Sequence, residues 1–504
     1  MLPEKHLYSA APMSDLASHT PQPSLPRLAW PLVISFTFRS LLTSIDIPYA
    51  STLGDEAVAA IGLAFPFEFA FIACWVGLSS SLTSHLGRAF GERHQNRMIQ
   101  VLRATRHLIL ILSGIFLTLA ISLWIGTPHL PIDPEVARNL QIYAPIVVAS
   151  ASLIGFWSIL PDSLIKAHHD TRSTMIAGLL SGSLNLFLNT LFVFGLNMGI
   201  LGIALATGAG RLGGLLYALH RAHRLENSRK IEWSAISSPD RATPSLRQND
   251  PVKLDPNGML AHPYRALCIL GIPTAITYVL MGTENLFINA ILSTHESSTS
   301  SFAAFAIYHR VTMTLLMPIV GVAVAILPFV SRLLGENRPT EIHKGLRQVF
   351  TFAWIYVTII VIPGCVFLST PLTEFLGKEE STRQMADFSI RYATPLAVAA
   401  TFPFLFCRTT FEAFQRGMPG LLMGTLRYLI LGLPLALLGA HYADRFGSTP
   451  YKGLLLGLIL GSAVVSTGFW VWLRHLLSTV KSPSPPPHFH PKTGESEANP
   501  AELH

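Results

Sequence analysis

Twelve long apolar segments, separated by shorter polar stretches, dominate the sequence and limit what it can fold into. They lie at about residues 28–52, 57–86, 107–128, 139–165, 174–196, 199–220, 262–292, 302–333, 348–370, 386–413, 418–440 and 453–476. Each is long enough for a helix that crosses a bilayer, which needs about 20 apolar residues. Only 13% of the residues are charged, against roughly 25% in a soluble domain. These features exclude a soluble enzyme, a disulfide scaffold and a disordered chain, and they predict an all-α integral membrane protein with twelve spans.

A polar, proline-containing stretch at 223–261 divides the spans into two groups of six. It is too hydrophilic to enter a bilayer, so we expect it to be a linker between an N-terminal lobe (28–222) and a C-terminal lobe (262–476). Residues 1–27 lack the apolar run of a signal peptide and are expected to form a cytoplasmic tail. Residues 477–504 contain the run "SPSPPPHFHP", which is typical of a disordered tail.

The distribution of lysine and arginine predicts the orientation of the spans. Basic residues crowd the loop after span two, the central linker and the loop after span eight, whereas the loops at 52–57, 196–199 and 293–301 hold none. Basic loops stay on the cytoplasmic side of a membrane. We therefore expect a multi-pass protein of the cell inner membrane with both termini in the cytoplasm.

The two groups of spans resemble each other. Span two ends in "SHLGRAFGE" at Glu92 and span eight ends in "VSRLLGEN" at Asn337, while spans four and ten open with Tyr143-Ala144-Pro145 and Tyr392-Ala393-Thr394-Pro395. Because each half has an even number of spans, six, both halves start on the same side of the membrane and have the same orientation. The sequence thus predicts two pseudo-symmetric six-helix lobes with a pathway between them, as in many transporters.

Several spans contain polar residues that a bilayer disfavours. A carboxylate at the centre of a span costs about 2.5–3.5 kcal/mol on insertion scales, so such residues mark pathways or proton relays. The candidates are Asp46, Glu68, Asp162, Asn185, Asn189, Glu284, Asn285, Asn289 and Glu412. Ion pairs and interhelical hydrogen bonds are the structural alternatives, including an Arg408–Glu412 pair and a contact between Glu68 and Arg39. A carboxylate in such a place can carry a proton, hold Na⁺ among oxygen ligands, or bind a lipophilic cation.

Three segments carry a family resemblance: "SIDIPYASTLGDEAVAAIGLAFP" from Ser44, "TRSTMIAGLLSGSLNLFLNTLFVFGLNMGILGIALAT" from Thr171, and "AAFAIYHRV" from Ala303. Their order and spacing resemble the multidrug and toxic compound extrusion (MATE) family over about residues 28–476. This resemblance implies an antiporter that expels organic cations or other amphipathic compounds in exchange for H⁺ or Na⁺ by alternating access.

The resemblance also implies a cation-coupling site in the N-terminal lobe. By motif it comprises Asp46 in span one, Asn185 and Asn189 in span five and Thr207 in span six. The family pattern has Asp where this chain has Asn189, so one of two carboxylates is missing. Glu284 looks like the coupling carboxylate that other branches place in span seven, and Glu412 is the nearest match in span ten. The expected substrate-cavity residues are Glu68, Asp162, Asn285, Asn289 and Glu412.

Two other functions stay open. A flippase for lipid-linked saccharides would use arginines such as Arg39 and Arg310, although twelve spans and the acidic residues favour a cationic cargo. A membrane-embedded enzyme would need clustered catalytic groups, and no motif for them occurs. We therefore expect no enzyme activity, no cofactor beyond H⁺ or Na⁺ as the coupling ion, no metal other than Na⁺ at Asp46, and no nucleic-acid partner.

Overall fold

The computed structural model describes residues 23–42, 46–236, 259–293, 298–376 and 379–479. All regular structure in these ranges is helical. The helices of the N-terminal half are α1 (Leu25–Leu42), α2 (Asp46–Ser51), α3 (Asp55–Glu92), α4 (Gln95–His129), α5 (Pro134–Ala167), α6 (Thr171–Gly195) and α7 (Gly199–Ile236). Those of the C-terminal half are α8 (Pro263–Leu292), α9 (Ser298–Gly335), α10 (Pro339–Phe375), α11 (Glu380–Ala413), α12 (Met418–Tyr442) and α13 (Pro450–Thr479).

Eleven helices of the described ranges, those from α3 to α13, are long and apolar enough to cross a membrane. The predicted first span corresponds to two shorter helices, α1 and α2, with residues 43–45 outside the described part of the chain. Large apolar side chains such as Trp124, Phe187 and Phe367 are more than half exposed. This exposure is expected where a bilayer, rather than water, surrounds the protein. The all-helical, twelve-span architecture predicted from the sequence is confirmed.

Short π-helical turns interrupt five of the helices. They occupy Ala151–Gly155 in α5, Leu191–Gly195 in α6, Val357–Val361 in α10, Ser389–Ala393 in α11 and Leu426–Leu431 in α12. Each adds one residue to a turn and so rotates the face presented by the rest of the helix; π-turns are frequent at functional sites. The turns in α6 and α12 lie in helices that correspond between the two halves.

The ends of α3 and α9 confirm that the halves are equivalent. Arg88 pairs with Glu92 (2.8 Å) and Arg332 pairs with Glu336 (3.2 Å), each four residues apart. The next residues, Arg93 and Asn337, adopt nearly the same left-handed conformation, with φ of 57° and 56°. We call this end of the molecule, with the basic residues around α3 and α9, the basic end.

Hydrogen bonds between the two halves cluster towards the basic end. Ser81 donates to the carbonyl of Leu267 (2.9 Å), and Ser84 donates to that of Glu412 (2.8 Å). His85 is fully buried. Its ring nitrogen Nδ1 lies 2.9 Å from the side-chain nitrogen of Gln415. These bonds join α3 to α8 and α11, so the halves are closed against each other at this end.

Three stretches differ from the expected boundaries or lie largely outside the described residues. Span six was expected to end near residue 220, but α7 continues as a helix to Ile236. The extension is rich in Arg, Glu, Lys and Leu, which have high helix propensity; it includes a Glu226–Arg229 pair (2.8 Å). The expected tails at 1–27 and 477–504 lie outside the described part apart from residues 23–27 and 477–479.

Candidate functional site

Three helices of the N-terminal half bring their polar residues together around Asp46. One carboxylate oxygen of Asp46 accepts a hydrogen bond from the side-chain amide of Asn189 (2.8 Å), and the other accepts one from the hydroxyl of Thr207 (3.3 Å). The amide of Asn185 donates to the same hydroxyl oxygen (3.3 Å). All four residues that the resemblance implied as a coupling site are therefore contiguous.

Local sequence positions each of these side chains. Asp46 opens the short helix α2, where the free N–H groups and dipole of a helix N-terminus favour a carboxylate. Asn185 and Asn189 are four residues apart in α6 and so lie on one face of it. Gly210 lets α7 approach that face, because a Cβ at Gly210 would lie 2.7 Å from the carbonyl oxygen of Ser181.

One acceptor in this cluster has no partner among the described residues. Asn189 is fully buried, and its side-chain oxygen makes no hydrogen bond with any described residue. Buried acceptors are nearly always satisfied, so such an oxygen calls for a donor or a cation. A proton on Asp46 or a small cation held by the carboxylate and amide oxygens would supply it.

Glu68 lies on α3 and faces the same region from the other side. It accepts a hydrogen bond from the hydroxyl of Tyr143 on α5 (3.2 Å), and Tyr143 itself is buried. Arg211 on α7 lies near both carboxylates, and its charge interacts with those of Asp46 and Glu68. The sequence analysis missed the roles of Tyr143 and Arg211. A signal for Arg211 was present, since it follows Thr207 by one helical turn.

The other candidate in the N-terminal half is held in an ion pair. Asp162 and Lys166 are four residues apart on α5, and the Lys166 Nζ atom lies 2.5 Å from a carboxylate oxygen of Asp162. Arg39 on α1 interacts electrostatically with Asp162 and Arg211. In the structure, Glu68 is therefore hydrogen-bonded to Tyr143, and Asp162 forms an ion pair with Lys166.

Glu284 of the C-terminal half lies inside α8 and faces α12. A Cβ built at Gly432 would be 3.7 Å from a carboxylate oxygen of Glu284, and the charge of Arg427 interacts with that carboxylate. Arg427 is buried and lies over the rings of Phe404 (4.9 Å) and Tyr428 (5.1 Å). Two of its nitrogens, Nε and Nη1, have no partner among the described residues.

The remaining candidates of α8 and α11 do not join Glu284 in one cluster. Asn285 contacts the ring nitrogen of His309 (3.2 Å), and Asn289 is exposed. Glu412 is buried, pairs with Arg408 (3.0 Å) and accepts a bond from Thr274 (3.1 Å). Thr274 precedes Glu284 by ten residues on α8, which corresponds to about 15 Å along the helix. The Arg408–Glu412 pair, predicted as a structural alternative, is present.

A cluster of one carboxylate, two amides and a hydroxyl suits proton or Na⁺ binding rather than covalent chemistry. Among the described residues, no group of three or more His, Cys, Asp and Glu side chains is arranged to hold a metal ion. Na⁺ needs only oxygen ligands, which the Asp46 cluster offers.

Known proteins resemble this chain along most of its length. Relatives include the FAD transporter of Shewanella oneidensis, 25% identical over 87% of this chain and 91% of that protein. The probable multidrug resistance protein NorM of Bradyrhizobium diazoefficiens is 25% identical over 75% of this chain and 76% of its own length. The probable multidrug resistance protein YoeA of Bacillus subtilis is 22% identical over 65% of this chain and 68% of its own length.

Solved structures share the fold. A crystal structure of a MATE transporter in complex with MaL6 superimposes with a TM-score of 0.76 at 21% identity, covering 91% of this chain and 97% of that one. An outward-facing multidrug resistance MATE transporter gives 0.74 at 21% identity, covering 91% and 96%. The family model described as MatE matches residues 31–191 and 273–438, one stretch in each half. With the paired six-helix architecture and the Asp46 cluster, these matches show that the chain belongs to the MatE family of membrane transporters.

Proposed function

We propose that this transporter is a secondary active antiporter that expels amphipathic organic cations in exchange for H⁺ or Na⁺. The observation that carries the proposal is the Asp46 carboxylate, which hydrogen-bonds to Asn189 and Thr207 on two further helices. Carboxylates inside a membrane mark ion and substrate pathways, and in this proposal Asp46 binds the coupling ion and the cargo at different stages of one cycle. Multidrug-type relatives support the same cargo class.

Alternating access follows from the two halves. We place the basic end in the cytoplasm of a cell whose inner membrane holds the protein, because basic loops remain on that side. The contacts of Ser81, Ser84 and His85 then close the pathway to the cytoplasm. Release of these contacts, with closure at the opposite end, would expose Asp46 to the other side. Glu284 remains a candidate for a second coupling carboxylate in the C-terminal half.

A flavin dinucleotide is the second candidate cargo. The FAD transporter relative aligns with 87% of this chain. Its cargo carries a pyrophosphate, for which arginine is a favoured partner. Arg211 in the N-terminal half and Arg427 in the C-terminal half are such groups inside the bundle. A flippase for lipid-linked saccharides, considered because of Arg39 and Arg310, has less support from these relatives than a flavin transporter has.

Transport by the purified protein in liposomes tests the proposal. Tetraphenylphosphonium and FAD are offered in parallel under a pH gradient, with and without Na⁺. We expect gradient-driven tetraphenylphosphonium transport that Asp46→Asn abolishes and Asp162→Asn, a matched change outside the cluster, retains. Transport of FAD alone would replace the cationic cargo by the flavin. Transport that depends neither on the pH gradient nor on Na⁺, or that persists in the Asp46→Asn variant, would contradict the antiport mechanism.

A further inference from the structure

Arg211 creates an electrostatic problem for a coupling site that has Asp46 as its only carboxylate. The guanidinium group donates from Nη1 to the carbonyl of Val147 (2.8 Å) and to the hydroxyl of Ser150 (2.6 Å), and it lies 5.4 Å from the ring centre of Phe71. These partners are neutral, so the positive charge of Arg211 is not cancelled by the groups that hold it. Together with an ionised Asp46 it would leave the site with no net charge.

Glu68 is the group that restores a negative charge. It lies 13 residues after the first residue of α3, which places it about 20 Å along that helix, well away from either end. Glu68 is half-buried, and its carboxylate accepts a hydrogen bond from the hydroxyl of Tyr143 at 3.2 Å. Arg211 interacts electrostatically with this carboxylate as well as with that of Asp46. With both acids ionised and Arg211 positive, the site carries a net charge of minus one, which suits a cation.

The other charged groups nearby act on each other or on Arg211 rather than directly on the two carboxylates. Asp162 is paired with Lys166 on α5 (2.5 Å), and the charge of Arg39 on α1 interacts with those of Arg211 and Asp162. Tyr49 on α2 shares a hydrogen bond with Thr190 on α6 (2.5 Å). Among the described residues, Arg211 is the cation whose charge acts on Asp46 and Glu68 together.

We propose that Glu68 is the second proton-carrying group of the coupling site, supplying from α3 the carboxylate that Asn189 does not provide from α6. The inference rests on the proposed function of Asp46. Before an organic cation binds, each of the two carboxylic acids releases its proton to water, and the site changes from a net charge of plus one to minus one. On the other side of the membrane both carboxylates take up protons from water, and the restored positive charge expels the cargo. Two protons therefore enter for each cation expelled.

Infrared spectroscopy of the purified full-length protein tests this proposal without any cargo. The C=O stretching bands of protonated carboxyl groups are followed while the pH is raised. Glu68→Gln and Asp46→Asn are each expected to remove a different titrating component, and Asp162→Asn is expected to remove neither. Tyr143→Phe keeps the Glu68 carboxylate and should retain its component with a changed frequency. Size-exclusion profiles and thermal unfolding identify any variant that is misfolded.

Proton release on binding of tetraphenylphosphonium in a weakly buffered solution gives the stoichiometry. We expect two protons per bound cation in the wild-type protein and one in Glu68→Gln. Loss of a titrating component in Asp46→Asn but not in Glu68→Gln would overturn this inference and leave the proposed function standing. Loss in neither variant would refute both. If the wild-type protein does not bind tetraphenylphosphonium, the infrared result decides.

Discussion

Gly91 and Gly335, equivalent residues at the ends of α3 and α9, touch each other across the boundary between the two halves. A Cβ added to either glycine would lie 2.9 Å from the Cα of the other. The same Cβ atoms would lie 2.3 Å from the carbonyl oxygen of Arg332 and 2.4 Å from that of Arg88. Real side chains do not tolerate such distances, so the closed basic end depends on glycine at both positions.

Gly91→Leu should favour separation of the halves at the basic end. Overpacking costs about 1–3 kcal/mol, which corresponds to a shift of about 5-fold to 150-fold in the equilibrium between closed and separated states. Spin labels at Gln95→Cys and Thr340→Cys, both exposed, would report a longer distance by pulsed electron resonance. Gly114→Leu is the control, because a Cβ there meets nothing within 4 Å. An unchanged distance distribution in Gly91→Leu would refute a role for this contact in closure.

Acid should destabilise the fold around His169, which contacts Pro328 at the basic end. His169 lies between α5 and α6, and its Nε2 is 3.3 Å from the carbonyl oxygen of Pro328. Burial and then the nearby charge of Arg332 lower the pKa of His169 from 6.5 to about 3. The imidazole is neutral in this structure, and protonating it would add an N–H at Nδ1, which has no partner. Its contribution to stability is present above about pH 6.5 and declines as the pH falls towards 3.

The pH effect is measured as the difference in thermal unfolding between wild type and His169→Asn from pH 8 to pH 5. Asn is a suitable replacement because His169 has a φ of 60°, a conformation that Asn tolerates. We expect the wild-type protein to lose more stability than the variant below about pH 6.5. Parallel curves over this range would mean that His169 does not contribute to the acid response.

Removing Glu412 should destabilise the fold more than removing Glu284. Loss of one member of a buried ion pair lowers the stability of the fold by about 3–5 kcal/mol, because it leaves an uncompensated charge. Without Glu412 that charge would be Arg408, whose Nη1 lies 3.0 Å from the Glu412 carboxylate. Glu284 has no ion-pair partner within 4 Å among the described residues. Thermal unfolding in detergent of Glu412→Leu and Glu284→Leu measures the difference. The double variant Arg408→Met, Glu412→Leu should recover most of the loss, and failure to recover would assign Glu412 a role beyond the pair.

Asn189→Asp should increase the affinity of the N-terminal site for Na⁺. The substituted side chain places a second carboxylate where the amide now lies 2.8 Å from Asp46. Two carboxylates this close cannot both ionise without a shared proton or cation. We expect roughly tenfold tighter Na⁺ binding, or ~1.4 kcal/mol, measured as Na⁺-dependent stabilisation against thermal unfolding. Asn185→Asp, one turn away on α6 and hydrogen-bonded to Thr207, serves as the comparison; an equal or larger gain there would argue against the predicted geometry.

The elements of this protein were readable from its sequence because helix formation in a bilayer depends on local composition. Long apolar runs must satisfy their backbone hydrogen bonds internally, so each predicts a helix whatever surrounds it. The shared exits of spans two and eight predicted two equivalent halves, and they became the paired Arg88–Glu92 and Arg332–Glu336 ends. Asp46, Asn185, Asn189 and Thr207 were likewise found from motif spacing, since the family places them on adjoining helices.

Contacts between helices far apart in sequence were decided only by tertiary packing. Tyr143 and Glu68 are 75 residues apart, and their hydrogen bond exists because α3 and α5 pack side by side. The Gly91–Gly335 contact and the neutral anchoring of Arg211 have the same origin. The composition of a segment determines its free energy of insertion into lipid, but it does not determine which other segments lie next to it. The charge that each buried carboxylate faces is therefore a property of the folded bundle alone.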